Sequence, residues 1–168
     1  MLLRSLHLPL FSYIVLCQFC DAQNVTVDDE ANNSSAVTFE YSPPSRWSLE
    51  SGNNDTLPVA SQARLGTVHY CTWDPTTDTD FPQLTVNFSG TAVNLFGVLQ
   101  QNVLTAVDIA INGTNVTRFS QIQDNGSPFI YNISLYSNSS LPPGRHTLTV
   151  GPAGEDFSAI FVDYLTFT

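Results

Sequence analysis

Apolar and polar residues alternate in short runs along this chain, and no stretch sustains a helical period. "VTFEYS" at Val37–Ser42, "LTVNF" at Leu84–Phe88 and "TAVDIAI" at Thr105–Ile111 have period two. They are rich in Val, Ile, Thr, Phe and Tyr, which suit a pleated, half-buried sheet. The pattern predicts strands over Asn24–Asp28, Val37–Ser42, Gly66–Thr72, Gln83–Phe88, Ala92–Val98, Thr105–Ile111, Asn115–Ser120, Phe129–Tyr136, His146–Val150 and Ile160–Phe167. Two turns are marked by composition: an Asn-Gly hairpin in "INGTN" (Ile111–Asn115) and a Pro-Gly turn in "LPPGRH" (Leu141–His146). Many short strands joined by polar turns predict an all-β fold, an antiparallel β-sandwich of the jelly-roll kind. One polar segment, Pro43–Leu65, breaks the pattern and is expected to be a long irregular loop, either disordered or simply packed, or with a binding role.

The last run, "AIFVDYLTFT", is apolar at both parities. Strict alternation puts Phe161, Asp163, Leu165 and Phe167 on one face and Ile160, Val162 and Tyr164 on the other. Asp163 therefore needs a partner, because an unpaired buried charge costs several kcal/mol. The first strand, "NVTVDDE", poses the same problem, since Asp29 follows the parity of Val25 and Val27. If the two strands are neighbours, their carboxylates repel unless something positive lies between them. Ca²⁺ meets that need with oxygen ligands, and Asp28 and Glu30 stand ready to add theirs. Two other readings compete: Asp163 caps backbone amides or pairs with an Arg, or Asp29 lies past the strand in water.

Composition narrows the setting. "MLLRSLHLPLFSYIVLCQFCDAQ" has an early Arg4, an apolar run from about Leu8 to Leu16, and small residues Cys20 and Ala22 before Gln23. This predicts a secretory signal peptide over residues 1–22 and a single domain over 23–168. The run is shorter than a membrane span needs. The leader holds one Arg and one Asp, so its removal leaves the net charge of −10 unchanged. Such acidity repels phosphate backbones and excludes nucleic acid as a partner. Cys17 and Cys20 fall in the leader, which leaves Cys71 without an internal disulfide partner, either buried and inert or bonded to another chain. N-x-S/T sequons stand at Asn24, Asn32, Asn33, Asn54, Asn87, Asn112, Asn115, Asn125, Asn132 and Asn138, which points to an exported glycoprotein.

Catalytic motifs are missing: the sequence has no G-x-S-x-G, H-E-x-x-H or Gly-rich phosphate loop. His69 and His146 lie in strand-like runs and read as hydrogen-bonded sheet histidines. Asp108 and Glu40 have solvent parity, with no second carboxylate to complete a glycosidase pair. "WDPTTDTDF" at Trp73–Phe81 lacks the spacing of a calcium loop and reads as a turn whose Asp side chains bond local amides. The expectation is a non-enzyme. Sugar recognition needs flat aromatics with polar neighbours; Trp47, Trp73, Tyr70 and Arg46 are the candidates, competing with a plain core role for the tryptophans.

Several runs, "VTVDDE", "VTFEYSPPSRW", "LGTVHY", "LTVNFSGTAVNLFG", "LPPGRHTLTV" and "IFVDYLTFT", taken in that order, carry a resemblance. The chain resembles the galactose-binding-domain-like β-sandwich of fungal secreted and single-pass membrane proteins, over nearly all of 23–168. The resemblance implies a jelly roll that binds carbohydrate, with a structural calcium between first-strand acids and a last-strand Asp, here Asp29 and Asp163. Its relatives commonly continue into a membrane span, so the expected location is extracellular, secreted or at the cell surface. The functional expectation is a glycan-binding module at the cell wall or surface. The alternative is an adhesion or structural ectodomain without sugar-binding activity.

Overall fold

A computed structural model of the protein describes residues 23–30, 37–51, 62–154 and 156–168; the proposed leader and the sequons at Asn32, Asn33 and Asn54 lie outside the described residues. Among the described residues eleven strands run in chain order: β1 (Val25–Asp28), β2 (Val37–Ser42), β3 (Ser48–Glu50), β4 (Val68–Trp73), β5 (Gln83–Gly90), β6 (Val93–Gln100), β7 (Leu104–Ile111), β8 (Thr114–Ile122), β9 (Phe129–Asn138), β10 (Gly144–Pro152) and β11 (Ser158–Phe167). One sheet has the order β3-β4-β11-β6-β9, with β1 also paired to β11; the other has the order β2-β5-β10-β7-β8. Every strand pairing within the two sheets is antiparallel. The protein is an all-β antiparallel sandwich, as the alternation predicts. No helix among the described residues is long and apolar enough to cross a membrane.

Alternation builds the core directly. Val37 and Phe39 of β2, Leu84, Val86 and Phe88 of β5, Val107 and Ile109 of β7, and Leu148 and Val150 of β10 turn inward from one sheet. Leu95, Ile160, Val162 and Leu165 meet them from the other, so apolar area leaves water on both layers at once. The Asn-Gly turn forms as predicted, while the Pro-Gly stretch is a bend at Pro143 that leads straight into β10 at Gly144. Asn112 and Gly113 take positive φ between β7 and β8, as a tight Asn-Gly hairpin turn requires.

All ten predicted strands form, with shifts at their ends. The eleventh, β3, lies inside the segment expected to be irregular, and 3₁₀ turns at Pro44–Arg46 and Arg64–Gly66 bracket it. Three residues are too few to display a period, and Leu49 of this edge strand is exposed. Its pairing to β4 at Ser48↔Tyr70 is tertiary and leaves no local pattern.

The expectation of strict alternation along β11 fails at Asp163. Val162 pairs with Gly97 and Tyr164 with Phe96, so β11 carries one extra residue against β6, a β-bulge. One inserted residue reverses the parity of everything beyond it. Hence Ile160, Val162, Leu165 and Phe167 all reach the inter-sheet core, while Phe161 turns outward. There Phe161 packs with Val68, Val98, Phe129 and Ala159 in a second apolar cluster. Gly97 makes this close approach fit, because a Cβ there would stand 2.2 Å from the Phe161 carbonyl oxygen.

Candidate functional site

Three carboxylates meet where β11 changes partners. One edge of β11 pairs with β4 as far as Val162↔His69, then with β1 from Tyr164↔Asp28. Asp163 sits between, its carbonyl accepting the Asp29 N–H at 3.1 Å. Asp28, Asp29 and Asp163 are 4 %, 0 % and 2 % exposed. The reading that left Asp29 in water is therefore corrected: the residue is fully buried at the seam, its N–H and carboxylate both taken up by the sheet. Arg64 N–H donates to Asp163 Oδ1 at 2.8 Å. Asp29 Oδ2 accepts from His69 N–H at 2.6 Å and lies 2.8 Å from His69 Nδ1. A carboxylate only accepts, so the ring proton belongs on Nδ1. His69 is thus a hydrogen-bonded sheet histidine, with Tyr41 stacked on its ring at 4.0 Å. The Tyr41 hydroxyl donates to the Asp29 carbonyl at 3.2 Å, and burial with the nearby acids pushes its phenol well above the usual range.

Charge at this seam is only partly answered. Thr67 Oγ1 lies 2.8 Å from Asp28 Oδ1 and 3.0 Å from Asp29 Oδ1, yet it has one proton to give. The other contact calls for a proton on a carboxyl or a cation beside it. Burial, reinforced by the hydrogen bond to Asp29, pushes Asp28 up to about 6. Burial likewise pushes Asp163 up to about 6, against the Arg64 N–H. Asp28 Oδ2 is buried without a hydrogen-bond partner. Among the described residues no three His, Cys, Asp or Glu side chains enclose a metal position as they stand. The donor chemistry fits a hard cation all the same: carboxylate and hydroxyl oxygens, one of them open.

The four residues expected to bind sugar are neighbours but do not form a platform. Trp47 is buried against Tyr41, ring centroids 4.9 Å apart. Trp73 is buried under the edge of Phe81, and Tyr70 stacks on Phe161. Arg46 grips Asp78 through two hydrogen bonds, at 2.9 and 2.6 Å, and donates to the Thr72 carbonyl at 2.8 Å. Asp74 accepts from Thr76 and Asp78 from the Asp74 N–H, so the "WDPTTDTDF" segment is the self-bonded turn its sequence suggests. His146 is likewise a sheet histidine, bonded to the Pro142 carbonyl at 2.8 Å. Cys71 is buried, and burial pushes its thiol up to about 12.

An open aromatic lies next door instead. Phe81 is 46 % exposed and lies across Gly151 of β10, where a Cβ would come within 2.7 Å of its ring. Glycine at that position lets the ring come this close to the strand while about half of the residue stays in solvent. It borders a groove of about 440 Å³ lined also by Gln83, Asp108, Asn115 and Thr149. Asp108 is held by Arg118 through two bonds, at 2.6 and 2.9 Å, which keep its carboxyl below the usual range. An apolar ring beside fixed acceptors and hydroxyls is what a sugar requires: a C–H face to cover and hydroxyls to bond. The sequence carried no sign of Phe81, since an aromatic beside Asp80 and Pro82 reads equally as a core anchor. The glycine two residues into the end of β10 was the only available hint.

No protein-family model matches the chain, and no curated protein sequence does. Solved structures do share its fold. A variant of the exo-β-1,3-galactanase of Phanerochaete chrysosporium with β-1,3-galactotriose aligns with a TM-score of 0.54 at 16% identity, over 86% of this chain and 29% of that one. A second variant with the same trisaccharide gives 0.51, and the enzyme with galactose 0.50, each at 16% identity and the same coverage. The chain therefore spans under a third of the length of these structures, and what they share with it is a β-sandwich.

Proposed function

We propose that this protein is an exported, glycosylated, non-catalytic β-sandwich module of the galactose-binding-like kind that binds glycan through the groove beside Phe81. The observation that carries the reading is the Phe81 ring laid over Gly151, with Asp108, Thr149 and Gln83 around it. The likeness in fold to part of a galactanase supports it as an analogy. Asp28, Asp29 and Asp163, with the Thr67 hydroxyl, would hold a structural Ca²⁺ at the seam. Bound there, the ion supplies the positive charge that the three acids lack. The protein's own groups already do the rest: the Arg64 and His69 amides orient the acids, and the Tyr41–His69 stack keeps water off Asp29.

The test is binding to an array of wall-derived galactans and glucans, using protein with Asn115→Gln so that its own glycan cannot cover the groove. Binding should be present and fall at least about tenfold in Phe81→Ala, roughly the loss of one aromatic contact. Folded protein that binds nothing, or binding indifferent to Phe81, would overturn the reading. That result would favour an adhesion or structural ectodomain, for which the locked positions of Trp47, Trp73 and Arg46 already speak.

A further inference from the structure

The outer face of the six-stranded sheet carries a row of stacked groups beside a sequon. Tyr164 and Phe96 are cross-strand partners with ring centroids 4.4 Å apart and planes 16° from parallel. The Arg64 guanidinium lies over the Tyr164 ring at 5.4 Å. The Tyr164 hydroxyl donates to Asn132 Oδ1 on β9. Asn132 is exposed and left-handed, with φ 62°, at a second irregularity where the partner of β6 steps from Ile133 to Ile130. Bulges of this kind re-aim a side chain. Here the bulge turns Asn132 toward the ring pair, its oxygen tied and its Nδ2 without a hydrogen-bond partner among the described residues. Nδ2 is the atom that a sequon modifies, and Ser134 supplies the hydroxyl two residues on.

We propose that Asn132 carries an N-linked glycan whose first N-acetylglucosamine packs on the Phe96–Tyr164 pair and becomes part of the outer surface of the sandwich. The donor is a polyisoprenyl-pyrophosphate-linked oligosaccharide of the secretory pathway. Nδ2 attacks the anomeric carbon, the carbon–oxygen bond to pyrophosphate breaks, Nδ2 gives up one proton, and the lipid pyrophosphate leaves. The linked nitrogen keeps one hydrogen, and Oδ1 keeps its bond from Tyr164, so the modification costs the sheet no contact. The sugar's apolar face then covers ring surface that is otherwise half in water. The proposal rests on the export reading above.

The test uses full-length protein secreted from a eukaryotic host. Peptide mass spectrometry after enzymatic release in heavy-oxygen water should find Asn132 occupied in most copies. Glycans are then trimmed to a single N-acetylglucosamine. The melting temperature is compared between Ser134→Ala, which removes the sequon but keeps Asn132, and Ser134→Thr, which keeps both. The same pair made without glycans in bacteria gives the cost of altering Ser134 itself. Net of that cost, loss of the sugar should lower Tm by about 2–4 °C for a domain of this size. The drop should shrink when Phe96→Ala is added. An empty Asn132 beside other occupied sequons overturns this proposal alone, and a chain with no occupied sequon overturns the export reading as well. An occupied Asn132 with no effect on Tm overturns the packing.

Discussion

Asp28→Asn is the sharpest probe of the acidic seam. Asparagine has the same shape, and its Oδ1 can still accept from the Glu30 N–H and the Thr67 hydroxyl, which meet Asp28 Oδ1 at 3.2 and 2.8 Å. Its Nδ2 replaces the buried oxygen that has no partner and removes a charge beside Asp29. In metal-free buffer the folded Asp28 carboxyl binds its proton more tightly than the unfolded one, with a pKa near 6 against 3.8. Below 3.8 both states are protonated and its contribution to stability is fully present. As pH rises through about 6 that contribution is lost, and it stays lost above. The span corresponds to about 2–3 kcal/mol at most. With chelator at pH 7.5, Asp28→Asn should therefore be more stable than the natural protein by up to about 2–3 kcal/mol in urea unfolding. The difference should vanish near pH 4. Added calcium should reverse the order at pH 7.5, because only the natural protein offers the full set of charged ligands, and an ion at a thousand times its Kd adds about 4.1 kcal/mol. If Asp28→Asn is the weaker protein at pH 7.5 without metal, the charge is already compensated within the chain and the reasoning fails.

Three further outcomes follow from the packing. Gly97→Ala should cost about 3 kcal/mol or more in urea midpoint experiments, since its Cβ would meet the Phe161 carbonyl oxygen at 2.2 Å and the backbone must shift. Gly151→Ala should leave stability within about 1.5 kcal/mol, because the Phe81 ring can swing away, yet weaken glycan binding on the array as much as losing the ring does. Cys71 should resist a thiol reagent in the native protein at pH 8 and react at once in urea, since a buried thiol pushed up to about 12 has almost no thiolate.

The strands were legible because the core is built on alternation, and alternation survives in sequence wherever a strand has one wet face. Val37, Phe39 and Tyr41 show it, as do Leu84, Val86 and Phe88. It misleads where a strand is covered on both sides. In β11 nothing in "IFVDYLTF" distinguishes a bulge from a regular pleat, so Phe161 was expected to share a face with Leu165 and Phe167, where Ile160 and Val162 stand instead. That Asp163 and Asp29 meet was readable, from two acids at core parity in the first and last strands. The identity of their partners was not, because main-chain amides such as those of Arg64 and His69 leave no mark in the sequence, and the Thr67 hydroxyl is one of many. The tryptophans illustrate a third limit. Trp47 and Trp73 have the composition of a sugar platform, but burial is decided by what packs over them, and the pairings with Tyr41 and Phe81, though close in the chain, follow no sequence period.

The divided edge of β11 also sets how the molecule bears load. Val25 lies against Phe167 and Asp28 against Tyr164, so the two ends of the sandwich leave from the same corner. Tension between them opens β1 one rung at a time, as a zipper opens, and does not shear its four rungs together. The first resistance beyond that weak zip is the knot of acids at Asp29 and Asp163, whose strength would vary with protons and, on the calcium proposal, with cations. A module hung by both ends would then yield early in acid-poor, metal-free surroundings and hold longest where calcium is abundant.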